Sequence, residues 1–347
     1  MTGQMDDKPA DDQKSEWQAF YNDTILPFWR EHAQQLTIQR PKQVKLNYYL
    51  LQPDNAKAIV LISPGRIEAA IKYPELAWEL CQQGYAVAVL DHRGQGFSQR
   101  LTPNPHQGHV HHFSDFVDDF AAFVRDVEKQ TQSAQGQALN QYLLAHSMGG
   151  AIAALYLARY PHQVKAAVLC SPMFGIQTSF IPHSVAVGIT TLGATLNQWL
   201  MPNKPWYFIG MSDYVEVPFS ENQLSHSQAR YSSFREQYKL HPEVQLGGPT
   251  FRWLSQALRA ARQAINEAAD IHIPVLVVQG GADEVVEGKA QREFVCALSH
   301  PYSQLMVVEG GRHELLIESD DYRQPVINRL LRWFAQGGEP RTMDPCE

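Results

Sequence analysis

The sequence predicts an α/β fold, a mostly parallel sheet wrapped on both faces by helices. Three observations carry that reading. Short, almost wholly apolar runs recur along the chain, as strands buried on both faces require. Segments with apolar residues at helical spacing separate them, and strand–helix alternation builds parallel sheets. Composition agrees: 44% hydrophobic and 19% charged residues supply an ordinary core. Disordered, collagen-like and coiled-coil chains, which need extreme bias, are excluded.

Residues 58–63 read as a buried strand, 73–83 as a helix and 85–91 as a second strand. Over 115–129, Val and Phe recur at helical spacing, acids early and basic residues late, as the helix dipole favours. A third strand, 141–146, runs into a small-residue helix over 147–160, and a fourth strand spans 164–171. Later come a strand at 274–280, a helix at 290–298, a strand at 304–310 and a closing helix at 322–334. Between 171 and 274 the alternation stops, and mixed, helix-leaning sequence rich in Trp, Tyr and Phe intervenes. Such an insertion is expected to cap the C-terminal edge of the sheet, where open α/β folds place their sites. At about 150 residues per domain, 347 residues allow about two units. The expected division is a core of 16–171 and 272–336, a cap of 172–271, and loose tails at 1–15 and 337–347.

Charge and cysteine usage narrow the function classes. Lys and Arg number 29 against 36 Asp and Glu, a net charge of −7 without a basic run. That excludes a general nucleic-acid binder, which needs clustered cations. Cys81, Cys170, Cys296 and Cys346 stand far apart, so reduced thiols in a cytoplasmic protein are expected, not a disulfide frame or zinc site. The acidic, polar N-terminus lacks a signal-peptide profile, and secretion is not expected. Residues 166–203 carry no formal charge, but Pro172, Gly175, Pro182, Gly188 and Gly193 interrupt them. A membrane-spanning helix is rejected in favour of a greasy surface or lid.

The sharpest signal is Ala145-His146-Ser147-Met148-Gly149-Gly150, which leaves an apolar strand and opens a helix. This is the setting of a nucleophile elbow. The turn is tight, so the residues two positions either side of the serine must be small, and here they are Ala145 and Gly149. The Met148 amide, at the helix start, is placed to stabilise an oxyanion. A serine hydroxyl needs a base and the base an orienting acid, in the chain order Ser, acid, His. Asp283 follows the 274–280 strand in Gly280-Gly281-Ala282-Asp283-Glu284, with Glu284 as a close rival. His313 follows the last strand and alone among the 14 histidines satisfies order and topology. His146 is expected to point away from the site. A second oxyanion donor is expected from Ser63-Pro64-Gly65-Arg66-Ile67-Glu68, where Gly65 permits close approach and the Arg66 amide donates. The Arg66 side chain is expected to pair with Glu68, with head-group phosphate binding as the alternative. Asp91-His92-Arg93-Gly94-Gln95-Gly96 is expected to be a hydrogen-bonded turn bracing the elbow. No metal or cofactor is expected.

The elbow, the Asp91–Gly96 turn and the Asp283/His313 pair resemble α/β-hydrolases of the monoglyceride-lipase type. Pro64-Gly65-Arg66-Ile67-Glu68, Gly108-His109-Val110, Val117-Asp118-Asp119, Pro172-Met173-Phe174-Gly175-Ile176 and Gly247-Gly248-Pro249-Thr250 are similar to the bacterial lysophospholipase L2 (lecithinase B) family, over roughly residues 20–335. The resemblance implies an α/β-hydrolase fold and hydrolysis of a lysophospholipid to a fatty acid and a glycerophosphodiester, without cofactor. Monoglyceride lipases usually carry His-Gly where this chain has Pro64-Gly65, which favours the lysophospholipase branch. A monoacyl lipid substrate and peripheral contact with the inner membrane are expected. The alternatives are a monoacylglycerol lipase, thioesterase or acyltransferase on the same scaffold, or a non-catalytic lipid-binding protein.

Overall fold

The computed structural model describes residues 16–131, 138–177 and 181–338. The expected tails at 1–15 and 339–347, with Cys346, lie outside the described residues. Gly337 and Gly338, expected to be tail, close the last helix, with the Gly338 amide donating to Trp333 O at 3.2 Å.

Eight strands form one sheet: β1 (Gln34–Gln39), β2 (Lys45–Leu51), β3 (Ala58–Ser63), β4 (Tyr85–Asp91), β5 (Asn140–His146), β6 (Val164–Cys170), β7 (Val275–Gly280) and β8 (Gln304–Val308). Their order is β1-β2-β4-β3-β5-β6-β7-β8. β1 and β2 pair antiparallel, as do β2 and β4, and the rest are parallel. The expected parallel sheet is therefore extended at one edge by two strands joined through antiparallel pairing. The α-helices that pack around this sheet or insert between its strands are α1 (Leu26–His32), α2 (Pro74–Gln82), α3 (Ser114–Gln130), α4 (Met148–Arg159), α5 (His183–Leu200), α6 (Gln228–Leu240), α7 (Phe251–Asn266), α8 (Gly288–Ala297) and α9 (Asp320–Gln336).

The continuous apolar strands work because successive side chains leave opposite faces of a sheet covered on both sides. In β3, Ile59 and Leu61 enter one core with Phe120, Ile152 and Phe294. Ala58, Val60 and Ile62 enter the other with Leu80, Tyr238 and Trp333. Helices α3, α4, α7 and α8 thus cover one face, and α2 and α9 the other. Each fully buried Leu, Ile or Phe contributes about 1.5–3 kcal/mol. Asp119 of α3, buried in this layer, accepts from Arg93 Nε at 2.6 Å and Arg40 Nε at 2.8 Å. That tie anchors the loop after β4 and the β1–β2 connection to α3.

Residues 171–274 hold α5, α6 and α7 between β6 and β7. Helix α7, within the interval expected as cap, packs its Trp253, Ala257, Ala260 and Ala264 into the sheet core. No helix among the described residues is long and apolar enough to cross a membrane. Cys81 and Cys170 are free and buried. Cys296, however, is disulfide-bonded, which corrects the expectation of four reduced thiols. It is an exposed residue of α8, and the chain's cysteines no longer argue for a reducing compartment.

Candidate active site

Strand β5 delivers Ser147 to a sharp turn before α4. Ser147 has φ 50° and ψ −118°, a conformation that costs a non-glycine residue on the order of 1–3 kcal/mol. The turn is clamped by backbone: Ser147 N donates to Cys170 O at 3.1 Å, and Ser147 O accepts from Gly150 N and Met173 N, each at 2.9 Å. A Cβ on Gly149 would stand 2.0 Å from Ser63 O and 2.5 Å from Pro64 O, so only glycine lets α4 approach β3 so closely.

The loops after β7 and β8 bring the acid and the histidine to this serine. His313 Nε2 lies 3.0 Å from Ser147 Oγ, and His313 Nδ1 lies 2.8 Å from Asp283 Oδ2. The other Asp283 oxygen accepts from the Val285 and Val286 amides at 2.8 and 3.1 Å. Burial would lift the Asp283 carboxyl, but His313 and these two amides hold it below the usual range. Glu284 is exposed, and Asp283 takes the position beside His313. The Asp283–His313–Ser147 chain has the spacing of a nucleophile, base and orienting acid.

His146, expected to point away, is instead part of the site. Its Nδ1 faces Glu68 Oε1 and its Nε2 faces His313 O, both at 3.1 Å. Two acceptors on two ring nitrogens require the doubly protonated imidazolium. Burial opposes that charge, but Glu68 and Glu314 outweigh it and lift the His146 pKa to about 9. Lys72 Nζ contacts Glu68 at 2.5 Å and Glu314 at 2.7 Å. Two carboxylates thus face two cations, and Glu68 is held well below the usual range despite its burial. Glu68, His146 and Glu314 are the one group of metal-ligand type among the described residues. The Lys72 ammonium already contacts both carboxylates and, with the His146 imidazolium, balances their charge. Only the loop connections bring these residues together, so no local spacing announced the cluster.

The Pro64–Glu68 loop is shaped by this cluster. Gly65 N donates to Glu68 Oε2, and a Cβ on Gly65 would stand 2.9 Å from His146 Nδ1. Gln95 Nε2 donates to Gly65 O at 2.7 Å and Glu68 O at 3.1 Å, while His92 Nε2 lies 3.1 Å from Ser63 Oγ. The Asp91–Gly96 turn therefore braces this loop directly, and reaches the elbow through Ser63, whose hydroxyl donates to Gly149 O at 3.2 Å. Buried Asp91 accepts from Ala70 N at 2.7 Å and Phe97 N at 2.9 Å, and its burial raises it to about 6. The expected Arg66–Glu68 ion pair does not form. Glu68 is taken by Lys72 and His146, and Arg66 turns the other way to donate to Gly247 O.

Ser147, His313, His146 and Arg66 open on a cavity of about 570 Å³, within the range of small-molecule sites. Its far walls are apolar, with Ile181, Ile189, Phe208, Met211, Trp253 and Leu258 among them.

A family model described as Hydrolase_4, serine aminopeptidase S33, matches residues 54–320. Lysophospholipase L2 of Escherichia coli (strain K12) is 33% identical over 340 residues, covering 94% of this chain and 97% of that protein. The chain belongs to the lysophospholipase L2 family. A probable lysophospholipase L2 of Haemophilus influenzae is 33% identical across 88% of this chain and 93% of its own. Among solved structures, a soluble variant of monoglyceride lipase from Saccharomyces cerevisiae superposes with a TM-score of 0.68 at 18% identity, covering 89% of this chain and 96% of that one. That likeness places the lysophospholipase L2 family chain in the α/β-hydrolase fold.

Proposed function

We propose that the chain hydrolyses the acyl ester of lysophospholipids, releasing a fatty acid and a glycerophosphodiester. One observation carries the reading: His313 bridges Ser147 Oγ and Asp283 Oδ2 at the mouth of an apolar cavity. His313 Nε2 takes the Ser147 proton as Oγ attacks the acyl carbonyl, and Asp283 stabilises the imidazolium that results. The Met148 and Arg66 amides hold the tetrahedral oxyanion, with Gly149 and Gly65 letting the backbone close around it. His313 then protonates the departing glycerol oxygen, leaving an acyl-enzyme. Water, deprotonated by His313, attacks that ester; collapse returns the proton to Ser147 and frees the fatty acid.

The acyl chain lies along the apolar walls, and the insertion at 172–271 works as a cap. Its helix α5 exposes Leu192 at 61% and Trp199 at 78%, an apolar face suited to a lipid surface. The relatives named lysophospholipase L2 support this substrate class.

The test is a panel of lysophospholipids and matched monoacylglycerols, run with wild type and Ser147→Ala. Wild type should favour lysophospholipid, and Ser147→Ala should lose roughly 10⁴–10⁶ in turnover and all labelling by a fluorophosphonate. Near-normal esterase activity in Ser147→Ala would end the proposal, and a preference for the neutral ester would make it a monoacylglycerol lipase.

A further inference from the structure

Three stretches of sequence meet at one guanidinium, a side chain that the acyl-transfer chemistry leaves unused. They are Pro64–Glu68, Gly108–Val110 and Gly247–Thr250. Arg66 Nη2 donates to Gly247 O, and the guanidinium lies over the Trp253 ring at 5.2 Å. Gly108 leaves it room: a Cβ there would stand 3.1 Å from Nη2 and 3.3 Å from Nε. Gly108 is itself fixed to the third stretch, donating to Gly248 O at 3.0 Å and accepting from Thr250 N at 2.8 Å.

What this cradle lacks is an anion. Arg66 Nε is buried without a hydrogen-bond partner, and among the described residues no carboxylate pairs with the guanidinium. The nearby acids are already matched, Glu68 and Glu314 by Lys72 and His146. Burial pulls the Arg66 pKa down to about 10, which leaves it charged at neutral pH. Arg66 is half-buried, and a cation partly withdrawn from water without a counter-charge is costly. It shares the cavity of Ser147, so a bound substrate can supply the missing charge.

We infer that the Arg66 side chain binds the phosphodiester of the lysophospholipid head group and makes the site select it over neutral monoacyl esters. The inference rests on the proposed function and adds the basis of its selectivity. A planar guanidinium suits phosphate oxygens, because two parallel N–H groups can meet two oxygens. In a lysophospholipid the glycerol backbone separates ester from phosphate by a short carbon chain, comparable to the reach of an arginine side chain. Arg66 therefore addresses the ester oxyanion with its backbone amide and the phosphate with its side chain. A monoacylglycerol offers only a hydroxyl there and leaves the cation unpaired.

A purely structural Arg66, pinning Gly247 to the site, would matter equally for every substrate. The deciding readout is therefore the ratio of kcat/KM for palmitoyl lysophosphatidylcholine to that for monopalmitoylglycerol in the same mixed micelles. Arg66→Gln should lower this ratio by roughly 10- to 100-fold, the range for losing a charge-assisted hydrogen bond. Arg66→Lys should lower it less, and Gly108→Ala, which pushes on the guanidinium without removing it, should lower it too. Equal losses on both substrates overturn the inference while the proposed function stands. A wild type that prefers the neutral ester overturns both. Should the Arg66 variants not fold, wild type decides alone. It should bind the ether analogue hexadecyl glycerophosphocholine at least about tenfold more tightly than hexadecylglycerol, and equal affinities overturn the inference.

Discussion

Replacing Lys72 by methionine removes one of four charges from the buried cluster behind the site. The wild-type cluster balances Glu68 and Glu314 against Lys72 and His146, with Lys72 Nζ 2.5 and 2.7 Å from the two carboxylates. Methionine nearly fills the same space, so the cost is electrostatic and not that of a cavity. Removing one partner of a buried pair costs about 3–5 kcal/mol. At roughly 2 °C per kcal/mol for a chain of this size, the melting temperature should fall by about 6–10 °C. The loss should also depend on pH. Without the ammonium, a carboxylate is pushed above its unfolded pKa, so the folded variant binds an extra proton and recovers stability on acidification. Thermal unfolding of wild type and Lys72→Met from pH 8 to pH 5 measures both effects. A loss below about 1 kcal/mol, or one that is flat with pH, would refute the two-against-two charge balance.

Three further outcomes are expected from the geometry. His146, lifted to about 9 when folded from about 6.5 when unfolded, contributes stability that is complete below pH 6.5 and lost as pH rises through 9. Urea midpoints should therefore fall across that window in wild type, and His146→Gln should flatten the fall; an unchanged alkaline limb counts against it. Gly149→Ala places a methyl 2.0 Å from Ser63 O and should exceed the ~1–3 kcal/mol of ordinary overpacking, read by calorimetry and fluorophosphonate labelling; wild-type values for both would contradict the close approach. Leu192→Glu, on the exposed face of α5, should weaken hydrolysis of micellar substrate more than of short soluble esters, and equal losses would remove the lipid-surface role.

Much of the architecture was legible because the inner parallel strands are buried on both faces and read as unbroken apolar runs, and β8, only partly buried at the edge, is apolar as well. Ser147, Asp283 and His313 stood out for a related reason: each follows such a run directly, and the fold gathers strand ends at one edge. The edge strands did not announce themselves. β1 is Gln-Gln-Leu-Thr-Ile-Gln with only partial burial, and β2 carries Asn47 in its middle, paired to Asp91 at 3.0 Å. His146 was missed because its partners, Glu68 and the His313 carbonyl, are 78 and 167 residues away in sequence. Arg66 and Glu68 looked paired because they are two residues apart. A loop bend sends their side chains in different directions, and Ile67 between them has φ 68°.

The backbone contacts between the 106–108 and 247–250 segments have a mechanical consequence. Gly247 N donates to His106 O at 2.7 Å, and Gly108 and Thr250 add two more bonds beside it. Helix α7 continues from this seam into the sheet core. One side of the cavity mouth is thus a fixed jamb, stitched to the body of the protein. Helix α5 leans on the same jamb: a Cβ on its Gly193 would stand 2.4 Å from the Phe251 ring, and Thr191 Oγ1 lies 3.1 Å from Ser255 Oγ.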